Sequence, residues 1–89
     1  MTAKLTGTCV MPSGEGLLIG CTSSTDKYYT SIYIYDYAKS EWIISASSKG
    51  SACWYQANGL ASGTYMAYFC TEETSGGRKL STSYYNFTV

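Results

Sequence analysis

Eighty-nine residues carry six Lys and Arg against six Asp and Glu, no histidine and ten tyrosines. That balance leaves no basic stripe for nucleic-acid phosphates, and no apolar run approaches the roughly 20 residues that cross a membrane as a helix. One domain over residues 1–89 is expected, and a chain this short buries a modest share of its unfolded surface, so its stability reserves are small. The opening MTAKLTG lacks the apolar core of a secretory signal. A processed signal, or display by another route such as a virion, would be needed to reach the outside of a cell.

In chain order, AKLTGTCVM alternates with period two and reads as a first strand. PSGEG holds the only proline and two glycines and marks a turn, and LLIGCTS follows as the second strand of a hairpin. STDK interrupts the pattern before YYTSIYIYDY, the strongest strand signal in the chain. AKSE turns the chain into WIISAS, SKGS turns it again, and ACWYQA and TYMAYFCTE flank NGLASG. TSGGRK precedes a final LSTSYYNFTV. Helical spacing is nowhere sustained, so an all-β fold of about seven strands is predicted, arranged as a sandwich.

The four cysteines, Cys9, Cys21, Cys53 and Cys70, show no C-x-x-C spacing. Without histidine the usual zinc ligand sets are missing, so neither a metal nor a cofactor is expected. An even count in a short Tyr- and Ser-rich chain points to two disulfides formed in an oxidising compartment. Three pairings are open; Cys9 with Cys21 and Cys53 with Cys70 is the one that neighbouring strands would allow most easily.

The segment NGLASGTYMAYF, from Asn58 to Phe69, together with the closing LSTSYYNFTV, resembles the end of a bacterial immunoglobulin-like or fibronectin type III-like module. In such modules a Gly-Leu-x-x-Gly-Thr-Tyr corner leads into the penultimate strand. The resemblance covers about a third of the chain. It implies an immunoglobulin-like β-sandwich of antiparallel strands with Leu60 and Tyr65 inward at the corner, and Ala67 and Phe69 inward after them. Met66, Tyr68 and Cys70 would face the other way, which counts against an antibody-like staple between Cys21 and Cys70.

Side chains alternate along a strand, so Ile32 and Ile34 share one face of SIYIYDY while Tyr33, Tyr35 and Tyr37 share the other. Burying the isoleucines stabilises by about 1.5 to 3 kcal/mol each, whereas a tyrosine can lie on a solvated sheet with its hydroxyl wet. The tyrosines are therefore placed outside, either as cross-strand pairs that stiffen the sheet or as a contact surface. Trp42 is placed inside, and Trp54 outside beside the tyrosine row, where it would complete an apolar interaction patch. Tyr33, Tyr35, Tyr37 and Trp54 are the candidate binding residues.

Catalysis finds little support: a Ser or Cys nucleophile would lack its usual histidine base, and Glu72 and Glu73 read as a solvated loop. The favoured function is a non-enzymatic structural or adhesive module of a cell surface, filament or virion, whose aromatic face meets a protein partner or a second copy. The alternative is a carbohydrate-binding module that stacks sugars on Trp54 and the tyrosines, with Asp36, Gln56 or Asn58 supplying hydrogen bonds. A small secreted inhibitor or toxin is a weaker third.

Overall fold

Turn residues cut this chain into short alternating runs, and each run becomes a strand. The computed structural model describes residues 3–89. In it β1 (Leu5–Ser13), β2 (Gly16–Ser23), β3 (Tyr29–Asp36), β4 (Glu41–Lys49), β5 (Ala52–Ala57), β6 (Thr64–Glu72) and β7 (Lys79–Thr88) follow one another. They form two antiparallel sheets, ordered β1-β2-β5 and β4-β3-β6-β7. At the tip of the first hairpin Gly14 takes a positive φ of 58°, a conformation that favours glycine.

The core lies between the sheets. Ile19, Cys21, Cys53 and Ala57 come from the three-stranded sheet, and Ile32, Ile34, Tyr65, Ala67, Phe69 and Phe87 from the four-stranded one. Ile32 and Ile34 are fully buried, as their alternation with the tyrosines implies. Tyr65 points inward with Leu60 packed nearby, and its hydroxyl donates to the Ala61 carbonyl oxygen at 2.7 Å. Its ring stacks on Phe87 with centroids 5.6 Å apart. The corner therefore ties the loop before β6 to the last strand through one side chain.

Trp42 departs from expectation: it is 54% exposed on the outer face. Ile34 pairs with Ile44, but Tyr35 pairs with Trp42, so Ile43 is an extra residue in β4. A bulge of this kind reverses the alternation beyond it. Without the bulge Trp42 would stand opposite Asp36 and point into the sandwich; with it, Trp42 joins Tyr35 outside.

The disulfide expectation is also corrected, because Cys9, Cys21, Cys53 and Cys70 are all free. Cys9 pairs with Gly20, which in turn pairs with Trp54, a row on the outer face of the three-stranded sheet. Cys70 lies on the outer face of the other sheet, as alternation from Tyr65 requires. Neither local pairing can close across these faces. Cys21 and Cys53 do stand opposite each other on the inner face, but their sulfurs point across the sandwich, toward the carbonyl oxygens of Ser31 at 3.8 Å and Ala46 at 3.6 Å. Burial pushes the Cys21 thiol up to about 12 and raises Cys53 as well, so both are protonated and poor nucleophiles at neutral pH.

Two outcomes follow from this packing. A thiol reagent should label Cys9 alone in the native protein and all four cysteines after denaturation without reductant; thiols that stay blocked in denaturant would contradict the free state. Replacing Tyr65 by Ala should cost about 3 to 5 kcal/mol in urea unfolding, the range for deleting a buried aromatic, and a loss under about 1 kcal/mol would mean the corner contributes little.

Candidate functional site

The outer face of the four-stranded sheet collects aromatic side chains from four strands. Across it, one row runs Trp42, Tyr35, Met66, and the next brings Tyr33, Tyr68 and Tyr84 side by side. Trp42 stands steeply against its neighbours: its centroid is 5.0 Å from Tyr35 at 70°, 6.4 Å from Tyr33 at 82° and 6.1 Å from Tyr68 at 68°. These edge-to-face contacts are favourable for rings that cannot lie parallel. Beside the indole lies a hollow of about 500 Å³, lined by Tyr33, Trp42, Met66, Tyr68, Tyr84 and Lys79.

A buried carboxylate anchors one end of this hollow. Glu72, expected in a solvated loop, is 0% exposed. It follows Cys70 on the outer face of β6, and the turn to β7 folds over it. One oxygen accepts from the Tyr33 hydroxyl at 2.6 Å, from the Cys70 thiol at 3.0 Å and from the Lys79 ammonium at 3.2 Å; the other accepts from the Gly76 amide. Burial alone would raise the Glu72 carboxyl, but these donors outweigh it and hold the group below its ordinary value. Burial pushes the Tyr33 hydroxyl up, and its bond to Glu72 adds to the shift. The Lys79 ammonium, 5.4 Å from the Tyr33 ring centroid, is disfavoured by its own burial, yet Glu72 overcomes this and raises its pKa.

Tyr33, Tyr35 and Tyr37 do share a side of the sheet. Tyr37 lies just past the end of β3, edge-on to Tyr35 at 5.4 Å, and its hydroxyl donates to the Asn86 side-chain oxygen at 2.8 Å on β7. Trp54, expected beside them, is not: it is 53% exposed on the opposite outer surface of the sandwich, its ring covering Gly20, where any Cβ would overlap it. Gln56 and Asn58 lie on Trp54's side, where the Gln56 amide donates to the Ser13 carbonyl at 2.9 Å and to the Asn58 oxygen at 3.0 Å. Asp36 is not available to a sugar, since it is buried and accepts from the Ala38 and Lys39 amides in the β3–β4 turn.

Sequence reasoning missed Tyr84 and Lys79 as members of this surface. Met66 and Tyr68 carried a signal, because alternation from Tyr65 sends them outward, but only the pairing of β3 with β6 puts Tyr68 beside Tyr33. Among the described residues no cluster of three or more Cys, Asp or Glu side chains has a metal-holding arrangement, and no helix is long and apolar enough to cross a membrane.

No family model and no curated protein matches this chain. Two solved structures share its fold. CopC from Methylosinus trichosporium OB3b is 22% identical with a TM-score of 0.62, the match covering 98% of this chain and 92% of that one. A β-glucuronidase from Lactobacillus rhamnosus is 14% identical with a TM-score of 0.58; the match covers 98% of this chain but 16% of the enzyme. At these identities the likeness is one of fold: a seven-stranded, all-β sandwich.

The Glu72 cluster sets an acid-side prediction. A carboxylate whose folded pKa lies below the unfolded value of about 4.3 adds stability above that value, and the gain is lost as pH falls through the folded pKa. Urea unfolding between pH 6 and pH 2 should show this loss, and Glu72→Gln, less stable throughout, should lose less on acidification. Equal acid losses in both proteins would rule Glu72 out as the source. Tyr33→Phe should cost about 1 to 3 kcal/mol by removing a donor from a buried charge, whereas Tyr35→Phe, which keeps the ring against Trp42 and Tyr37, should stay within about 0.5 kcal/mol.

Proposed function

We propose that this chain is a non-enzymatic binding module of the immunoglobulin-like class, displayed outside the cell, that takes apolar side chains of an extended protein segment into the hollow beside Trp42. The carrying observation is the shape of that surface: rings set at 68° to 82° to Trp42 enclose a concavity of about 500 Å³. Such a hollow suits an inserted side chain, as in interfaces built on buried aromatic anchors, better than the flat ring that a sugar face stacks on. The rim adds one directional group, the Lys79 ammonium, whose charge Glu72 already balances. The immunoglobulin-like assignment rests on the three-plus-four strand order and on the Tyr65 corner, whose hydroxyl bonds back to a carbonyl four residues upstream. With the cysteines free, the extracellular assignment leans on the low charge and the Tyr, Ser and Thr content.

A second reading attaches to the opposite surface. There the Trp54 ring covers Gly20 with its other side to solvent, and polar Gln56 and Asn58 line a shallow cleft with Ser13 and Glu15. An exposed ring backed by glycine, with Gln56 two residues along the same face of β5, offers a carbohydrate a stacking surface and a polar group next to it.

The two readings separate spectroscopically. In a Trp54→Phe protein Trp42 is the remaining tryptophan, and its emission should respond to extended peptides bearing Leu or Trp side chains. Tyr68→Ala should weaken that response by at least about tenfold, the loss expected when a packed aromatic anchor is truncated. Neutral oligosaccharides should leave Trp42 unchanged. A Trp42 response to saccharides and not to peptides would overturn the proposal, and a saccharide response confined to Trp54 in the wild-type protein would support the second reading.

A further inference from the structure

The four free sheet edges are protected unequally. A strand edge offers unpaired N–H and C=O groups to any other strand, and natural proteins blunt such edges with proline, bulges, charge or brevity. The β1 edge carries Pro12 and a register break between Leu5 and Gly7. The β5 edge has only six residues. The β4 edge carries the Ile43 bulge and charges at both ends, Glu41 and Lys49. Strand β7 has ten residues and one charge, Lys79 at its start. From Leu80 to Thr88 it has no charge, proline or glycine, and its register with β6 is unbroken from Ser81 to Thr88.

The direction of its free groups follows from one bonded pair. Gly63 and Val89 exchange both of their backbone hydrogen bonds, at 3.1 and 2.9 Å, in register with Thr64 opposite Thr88. Bonded and non-bonded pairs alternate along an antiparallel ladder. The N–H and C=O groups of Ser81, Ser83, Tyr85 and Phe87 therefore face β6, and those of Thr82, Tyr84, Asn86 and Thr88 point away from it. The β1 amide of Leu5 reaches this strand, but bonds the Ser81 side chain at 3.2 Å and leaves those outward groups open. Tyr84 and Tyr85, the most exposed large hydrophobic residues at 65% and 56%, sit on this edge and project to opposite faces.

We propose that the β7 edge binds the β7 strand of a second copy of this chain, antiparallel about a two-fold axis, so that the two four-stranded sheets join into one. The strand is complementary to itself. Setting Tyr84 opposite the second copy's Asn86, and Thr82 opposite the second copy's Thr88, pairs every outward backbone group and keeps outer face beside outer face. The axis then passes at Tyr85, which meets its own copy on the inner face, while Tyr84 is covered on the outer face. No charge repulsion opposes this contact, since Leu80–Thr88 is uncharged and the chain is neutral overall. The contact is made by backbone groups at the sheet edge; it covers Tyr84, which also lines the hollow, whereas Thr82, Asn86 and Thr88 do not line it and report on the edge alone.

Sedimentation velocity over a concentration series tests it. The wild-type protein should show a reversible monomer–dimer equilibrium. Asn86→Pro removes an outward N–H without breaking the ladder to β6, a position where an edge strand tolerates proline, and should weaken dimerisation by at least about tenfold. A Thr82→Lys, Thr88→Lys double variant, which keeps the backbone, should do the same by charge repulsion, with circular dichroism confirming its fold. A wild-type protein that stays monomeric, a dimer unchanged in both variants, or growth into open-ended species would each overturn the edge contact. A dimer lost on Tyr68→Ala but kept in both edge variants would also overturn it, and would place self-association in the hollow.

Discussion

The pairing of β3 with β6 at the centre of the four-stranded sheet is the constraint on which the rest of the molecule depends. Ile32 stands opposite Phe69 and Ile34 opposite Ala67, while between them Tyr33 stands opposite Tyr68. Because side chains alternate with period two, one register delivers the core on one face and the aromatic surface on the other. A slip by one residue would bury tyrosine hydroxyls without partners and expose the isoleucines. Burial of the inner side chains thus fixes the positions of the outer rings, and the binding surface inherits the rigidity of the core.

Glu72 extends this logic to a charged group. A carboxylate removed from water is costly unless its lone pairs are filled, and here a phenol, a thiol, an amide and an ammonium fill them. The arrangement draws together β3, β6, β7 and the loop between the last two. It also holds Tyr33 and Lys79 at one end of the hollow. Tyr33 is consequently both part of the surface and part of the structure, unlike Tyr35 and Tyr37, whose phenols make no contact with a buried charge. Removing all the ladder tyrosines at once would confound the two roles.

The two tryptophans lie on surfaces facing opposite ways, with the sandwich core between them. Trp54 lies over Gly20 on one, and Trp42 meets tyrosine rings at steep angles on the other. The same residue type therefore offers a covered, outward ring in one place and a wall of a cavity in the other. The difference comes from the residue opposite. A glycine leaves room for an indole to cover the backbone, whereas the tyrosines of β3 and β6 meet Trp42 at steep angles.

The sequence by itself determined what depends on alternation within one strand. The seven strands, the inward Ile32 and Ile34, and the outward Tyr33, Tyr35 and Trp54 follow from period-two spacing and turn residues, which are local, while the inward Tyr65 and outward Cys70 followed from the resemblance of NGLASGTYMAYF to an immunoglobulin-like corner. Tertiary structure decided what depends on neighbours. An unpaired Ile43 turned Trp42 outward, and no local pattern marks where a strand will bulge. The sheet order placed Tyr68 and Tyr84 beside Tyr33 and sent Trp54 to the far side, because alternation gives a residue's face but not the sheet that face belongs to. The cysteines stayed free for the same reason: pairing needs two sulfurs on one face and aimed at each other, and their positions along the chain carry neither fact.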